Sequence, residues 1–177
     1  LFEAAHHAGF DKGALEQKQP RLAAIPFDSK RKLMTTLHRS AEGVVACVKG
    51  APESVLSLCG KSVTQGEEVS FEPESVLAEA NALANEGYRV LAFARRELSS
   101  VPPQLDSEVI ERDLTFLGLV ALIDPPRPEV PQAVADCLSA GITPVMITGD
   151  HPGTAMAIAR RLGITQDPEA MLSGEEL

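Results

Sequence analysis

The chain has 177 residues, enough for one sizeable core or two small units, and 44% of them are hydrophobic, as in an ordinary globular protein. Its 25 acidic residues exceed its 16 basic ones, and the net charge of −9 argues against a broad surface for nucleic acid or anionic membranes. The longest apolar run, residues 114–123, is far shorter than the roughly 20 residues of a membrane-spanning helix, so we expect a soluble chain.

The cysteines and histidines show no pattern of metal binding or disulfide pairing. The three cysteines, Cys47, Cys59 and Cys137, are scattered without a CxxC pair. An odd number without metal spacing favours reduced thiols in a cytosolic setting. The four histidines lack the i, i+4 spacing of helical metal ligands, so we predict no metal site.

The first part of the chain predicts two short helices followed by an antiparallel pair of strands. Helices are expected at residues 1–8 and 11–19, and strands at 32–39 and 44–49. Gly9 ends the first helix, and residues 40–43 form a tight turn between the strands. Before the first strand, Pro26 and the pair Asp28-Ser29 predict an exposed loop that is rich in positive charge.

Helices and strands then follow one another up to residue 123. In chain order we expect a helix at 51–59, a hairpin-like stretch at 63–71, a helix at 73–86, a strand at 89–93 or slightly longer, a surface excursion at 99–113 and a strand at 114–123. Pro52 opens the first of these helices and Gly60 follows its end. The second helix has apolar residues three and four apart and ends before Gly87.

A proline cluster at residues 124–128 marks a predicted boundary, because proline cannot donate to a strand ladder. We therefore predict two domains, residues 1–123 and 124–177. After the boundary a helix at 129–140, a strand at 143–147 and a helix at 152–162 give the order of half an open parallel α/β sheet, which binds ligands at the carboxyl ends of its strands. We expect this second part to pack poorly alone or to self-associate, because its strand lacks partner strands.

Several residues suit the binding of an anionic or flat ligand, and each also has a simpler structural explanation. Lys49 ends an apolar strand beside Gly50, and can equally be a solvated charge at a sheet edge. Phe27, beside several cations, can stack on a nucleotide base or anchor a core. The turn at residues 148–150 precedes a helix and suits a phosphate, but the aspartate can simply cap that helix. Arg89 can be a solvated strand end or part of an ion pair.

Five stretches that follow one another in a fixed order are more specific than any one of them. They are IPFDSKRKLMT, VKGAPE, GYRVLAFA, LTFLGLVALIDPPRPEV and AGITPVMITGDHPGTAMAIARRLGI. Together they closely resemble the cytoplasmic catalytic part of the P-type cation-transporting ATPases, and are most similar to the calcium-pump-like branch. The resemblance implies an α/β fold: an α+β nucleotide-binding domain with an antiparallel sheet and flanking helices over residues 1–123, then a hinge and a partial Rossmann-like segment of the haloacid-dehalogenase type over 124–177.

The resemblance also implies roles for individual residues around ATP. Phe27 would stack on adenine, and Lys49 with Gly50 would line the adenine pocket. Lys32 and Arg89 would reach towards the phosphates. Asp124 and Arg127 match the family's hinge near the nucleotide. Thr148, Gly149 and Asp150 match a family turn in which the threonine contacts the phosphoryl group and the aspartate lies on the nucleotide side.

The family's phosphorylated aspartate motif, its magnesium-holding loop and its membrane helices do not occur in this sequence. The resemblance therefore implies a fragment that binds ATP but is inactive alone, from the cytoplasmic part of an integral membrane pump that hydrolyses Mg-ATP. Its expected partners are ATP and the remaining phosphorylation, actuator and transmembrane domains, with no nucleic acid.

Two alternatives stay open at this stage. One is a fragment of a haloacid-dehalogenase-like phosphatase, for which the sequence shows no nucleophilic DxD motif. The other is a regulatory or interaction module that binds no nucleotide.

Overall fold

A computed structural model describes residues 1–123, 126–150, 152–167 and 169–172. The described helices are α1 Phe2–His7, α2 Lys12–Lys18, α3 Pro52–Leu56, α4 Pro73–Asn85, α5 Ser107–Ile110, α6 Val130–Ser139 and α7 Pro152–Leu162. The described strands are β1 Arg21–Asp28, β2 Leu33–Ser40, β3 Gly43–Gly50, β4 Cys59–Thr64, β5 Glu67–Ser70, β6 Arg89–Leu98 and β7 Leu114–Leu122. No helix in these ranges is long and apolar enough to cross a membrane.

The seven strands form one mixed sheet in the order β1-β2-β3-β6-β7-β4-β5. Strands β1, β2, β3 and β6 pair antiparallel in succession, as do β4 and β5, whereas β4 runs parallel to β7. Ser40 of β2 pairs with Gly43 of β3, and this pairing closes the tight turn that the sequence predicts. A sheet with flanking helices confirms the predicted α/β class.

The chain divides into two compact units. Unit 1 comprises Leu1–Pro73 and Leu91–Leu119, and unit 2 comprises Glu74–Val90 and Val120–Leu177. The boundary predicted from the proline cluster, between residues 123 and 124, stays a prediction about domains.

The core of unit 1 lies on one face of the sheet, beneath helix α5. On β2 the alternate residues Leu33, Thr35 and Leu37 are buried, which is the period of a strand with one covered face. Leu37 of β2 packs in one cluster with Ala46 of β3 and Ile110 of α5. Both Leu37 and Ile110 are fully buried, and burial of a side chain of that size stabilises the fold by about 1.5–3 kcal/mol.

Unit 2 contains helices α4, α6 and α7, and the predicted helices at 73–86, 129–140 and 152–162 are confirmed within one or two residues. Helices α6 and α7 pack together. The Thr154 hydroxyl donates a hydrogen bond of 2.9 Å to the Tyr88 carbonyl, which ties α7 to the turn after α4. Gly87 of that turn has a φ of +93°, a conformation that favours glycine.

The strand predicted at residues 143–147 is wrong, since this described segment forms no strand. Val145 is 79% exposed and Ile147 is 93% exposed. A strand gains its hydrogen bonds from a neighbouring strand, and no described residue pairs with this segment. An apolar sequence alone therefore does not produce the strand.

Two loop predictions also need correction. The chain does not leave regular structure at Pro26, because β1 continues through Pro26 and Phe27 to Asp28. β1 is an edge strand, and an edge tolerates a proline that cannot donate to a ladder. The predicted surface excursion contains helix α5, whose Ile110 is buried together with the following Glu111. A helix of four residues is too short to show a helical period in the sequence.

Candidate functional site

Three neighbouring strands reach the same level at one end of the sheet in unit 1. Asp28 of β1 pairs with Leu33 of β2, and Leu33 pairs with Gly50 of β3. Beyond this level, the backbone amide of Ala51 donates a hydrogen bond of 2.9 Å to the Lys32 carbonyl. The sheet thus places four predicted residues at one end: Phe27, Lys32, Lys49 and Gly50.

Phe27 lies in a bulge of the edge strand. Between the pairs Ile25 with Thr35 and Asp28 with Leu33, β1 advances by three residues and β2 by two. Bulges of this kind re-aim side chains and are common beside functional sites. Phe27 remains 62% exposed, so it does not anchor a core and its ring is available to a ligand.

The loop from β1 to β2 is a tight hydrogen-bonded turn. One carboxylate oxygen of Asp28, Oδ1, accepts hydrogen bonds from the backbone amides of Lys30 at 2.9 Å and Arg31 at 3.0 Å. These bonds, that of Arg31 foremost, lower the pKa of the Asp28 carboxyl. Lys32 closes the turn with a φ of 56°, and its ammonium lies 3.2 Å from the Glu53 carboxylate.

Lys49 is half-buried between two apolar side chains. Its cross-strand partners are Met34 on β2 and Phe93 on β6, and directly paired residues share one face of a sheet. A cation with an apolar neighbour on each side can contact the edge of a flat ring while its neighbours contact the ring itself. Met34 and Phe93 were not among the residues predicted from the sequence, although the alternation of their strands, taken with the pairing of β3, would have identified them.

Gly50 allows β2 and β3 to approach closely. A Cβ atom at this position would lie 2.4 Å from the Leu33 Cβ and 2.5 Å from the Lys32 carbonyl oxygen. The space beside Gly50 is therefore filled by its own chain, and the glycine fixes the position of the Lys32 backbone. The predicted role of Gly50 at a ligand stays a prediction.

The other predicted residues belong to unit 2. The guanidinium of Arg89 donates to Oδ1 of Asp150 through Nη2 and, at 3.1 Å, through Nε. The amide of Asp150 in turn donates to the Thr148 hydroxyl at 3.1 Å. Arg89 therefore forms an ion pair at the end of its strand, which is one of the simpler explanations that the sequence allowed. Within unit 2 it lies together with the turn of Thr148, Gly149 and Asp150.

Of the two predicted hinge residues, the structure describes Arg127. Arg127 is exposed, and its carbonyl accepts a hydrogen bond of 3.0 Å from Val130 at the start of α6. Asp124 lies outside the described residues. Throughout the described ranges, no group of three or more His, Cys, Asp or Glu side chains could hold a metal ion.

Comparison with known proteins extends these observations. Residues 1–129 match the family described as "P-type ATPase, cytoplasmic domain N". Calcium-transporting ATPase 1 of Bacillus cereus is 40% identical over 180 aligned residues, covering 100% of this chain and 20% of that protein.

Two further relatives align over nearly the whole chain. Cation-transporting ATPase pma1 of Synechocystis is 41% identical over 97% of this chain and 19% of its own length. The probable cation-transporting ATPase F of Mycobacterium bovis is 42% identical over 100% of this chain and 20% of its own length. The chain thus spans about a fifth of the length of the curated relatives that it matches.

Proposed function

Because this chain belongs to the P-type cation-transporting ATPases, we propose that it binds ATP and orients it for phosphoryl transfer to an aspartate that this sequence does not contain. Phosphoryl transfer depends mainly on the position and electrostatic surroundings of the terminal phosphate. The chemical contribution of this chain is then to hold the nucleotide and present its phosphates.

The exposed ring of Phe27, beside the lysine-rich end of three strands, is the observation that carries the proposal. Adenine stacks on Phe27, and Lys49 with its apolar neighbours lines the pocket. Lys32 turns towards the phosphates and leaves Glu53. Exposed ion pairs are worth only about 0–1 kcal/mol, so a phosphate can replace this carboxylate at little cost.

The proposed roles of the residues in unit 2 concern the phosphates of ATP. Thr148 contacts the transferred phosphoryl group, with Gly149 allowing the turn, and Asp150 lies on the nucleotide side. Arg89 exchanges its carboxylate partner for a phosphate. At the hinge, Asp124 and Arg127 lie near the nucleotide, whereas the magnesium ion that accompanies ATP in the whole pump is held by residues outside this sequence.

The parent protein, in this proposal, is a calcium-type pump that hydrolyses ATP to transport its ion. This chain is then part of its cytoplasmic region and works with the remaining phosphorylation, actuator and transmembrane domains. The calcium assignment is supported by the name of the Bacillus cereus relative, while the other two names specify only a cation.

Titration of the chain with ATP, followed by backbone amide shifts, tests the nucleotide site. Phe27→Leu should weaken ATP binding about tenfold, since stacking of a base on an aromatic ring contributes about 1–3 kcal/mol. Phe10→Leu is the matched control, because Phe10 is 57% exposed and lies in the same unit. Equal affinities of the two variants, or shifts confined to another surface, would refute the site. Absence of binding at millimolar ATP would favour a module that binds no nucleotide.

A further inference from the structure

A buried carboxylate in unit 1 is attached to the turn that follows Phe27 and ends at Lys32. Glu111 follows helix α5 and is only 5% exposed. Its Oε1 accepts a hydrogen bond of 2.6 Å from the Thr35 hydroxyl, and its Oε2 accepts one of 2.5 Å from Arg31 Nη1. A buried charge with these partners is held in one place, because leaving either partner would leave it unsatisfied.

Arg31 extends this contact to the bulge of β1. Its Nη2 donates a hydrogen bond of 2.9 Å to the carbonyl of Pro26, the residue directly before Phe27. Its own backbone amide is bound by Asp28 on the other side of Phe27. Arg31 therefore contacts both flanks of Phe27: its guanidinium joins Pro26 to a carboxylate 80 residues further along the chain, and its backbone amide binds Asp28.

The far end of the contact is fixed in the core. Thr35 lies on β2 and is completely buried, so Glu111 is held against a strand that pairs on both sides. The planar guanidinium can serve Glu111 and the Pro26 carbonyl at the same time because its N–H groups have a rigid fork geometry. The bulge is thus tied to the core through side chains as well as through the ladder pairs on either side of it.

We propose that Glu111 is a positioning residue for the nucleotide site: through Arg31 it holds the Pro26 carbonyl, and with it the bulge that presents Phe27. This inference rests on the proposed function. A loosened bulge would present the ring correctly for only part of the time, and the apparent Kd rises by the inverse of that fraction. If the competent fraction falls to about 0.1–0.3, ATP binds about three- to tenfold more weakly.

A double-mutant cycle on ATP affinity separates positioning from a general effect on folding. Glu111→Gln keeps the shape of the side chain and removes its charge. Glu108→Gln is the matched control, because Glu108 belongs to helix α5, is exposed, and lines a surface groove together with Arg31 and Glu111. Each variant is made in the Phe27 chain and in the Phe27→Leu chain, and Kd is measured where circular dichroism shows all proteins folded.

Glu111→Gln should raise the Kd for ATP about three- to tenfold when Phe27 is present and less than about twofold in the Phe27→Leu chain. Glu108→Gln should leave the Kd unchanged in both. An equal loss in both chains, or no loss in either, overturns the positioning role. If Phe27→Leu alone leaves the Kd unchanged, the nucleotide site itself is wrong and both proposals fall.

Arg31→Lys provides a second variant in case Glu111→Gln does not fold. It keeps the positive charge of the turn but cannot serve the Glu111 carboxylate and the Pro26 carbonyl with the same fork. The same dependence on Phe27 is expected, and an unchanged Kd overturns the proposal.

Discussion

Replacing Gly50 with alanine should destabilise unit 1, because the new methyl group would lie inside the contact between β2 and β3. Its carbon would be 2.4 Å from the Leu33 Cβ, 2.5 Å from the Lys32 carbonyl oxygen and 2.7 Å from the Leu33 Cα. Carbon atoms attract at about 3.5–4.0 Å, so the two strands must separate by about 1 Å at this position. None of the three atoms belongs to the end of a flexible side chain, so relaxation must move the backbone.

The magnitude follows from two opposing effects. Overpacking of this kind costs about 1–3 kcal/mol, and the severity of the overlap places Gly50→Ala at the upper end of that range. Alanine also restricts the unfolded chain, which returns about 0.4–1 kcal/mol. We expect a net loss of about 2 kcal/mol in the free energy of unfolding, with a lower ATP affinity because the Lys32 backbone moves.

Urea unfolding, followed by the amide signals of β2 and β3, measures this loss. Gly60→Ala is the matched control, since Gly60 lies on β4 of the same unit and a Cβ there would meet nothing within 4 Å. Its free energy of unfolding should change by no more than about 0.5 kcal/mol. Equal stabilities of the two variants would refute the argument that Gly50 is required by a close approach of strands.

Three further predictions concern single residues of unit 1. Lys32→Gly should stabilise the fold by up to about 1 kcal/mol, because glycine adopts the left-handed conformation of Lys32 without strain. The same change should weaken ATP binding. Urea unfolding and ATP titration of one sample separate these two effects. The lowered pKa of Asp28 means that its stabilising contribution is present above the ordinary value of 3.8 and is lost as pH falls through the lower folded-state value. Urea midpoints of Asp28→Ala should therefore fall less steeply than those of the parent chain below about pH 4. Burial raises the pKa of the Cys59 thiol from 9.0 to about 11, so at pH 8 it should hold about a hundredfold less thiolate than an ordinary thiol. Mass spectrometry of iodoacetamide labelling checks this, and labelling as fast as in urea would contradict it.

Local signals were sufficient for most of the elements. Helix α4 was predicted at residues 73–86 and is observed at Pro73–Asn85, because its apolar period and its terminal Gly87 are properties of neighbouring residues. The hairpin of β2 and β3 was predicted for the same reason. Local pattern left most of the candidate nucleotide residues with a simpler structural explanation, and the family resemblance assigned their roles, which stay predictions.

What failed depended on partners distant in sequence. The extension of β1 through Pro26 requires an edge position in the sheet, which no local pattern indicates. The apolar residues 143–147 resemble a strand in composition, but without a described neighbour they do not form one.

By itself, then, the sequence determined most of the helices and strands, the positions of most turns and the family, since periodicity, glycine and proline placement and motif order are properties of neighbouring residues. Only the tertiary structure decided that the space beside Gly50 is filled by Lys32 and Leu33 and is not open. It also decided that Arg31 meets Glu111, 80 residues away. Such contacts depend on the pairing of strands and the packing of a short helix. These bring together residues that are distant in sequence, so no local pattern predicts the contacts.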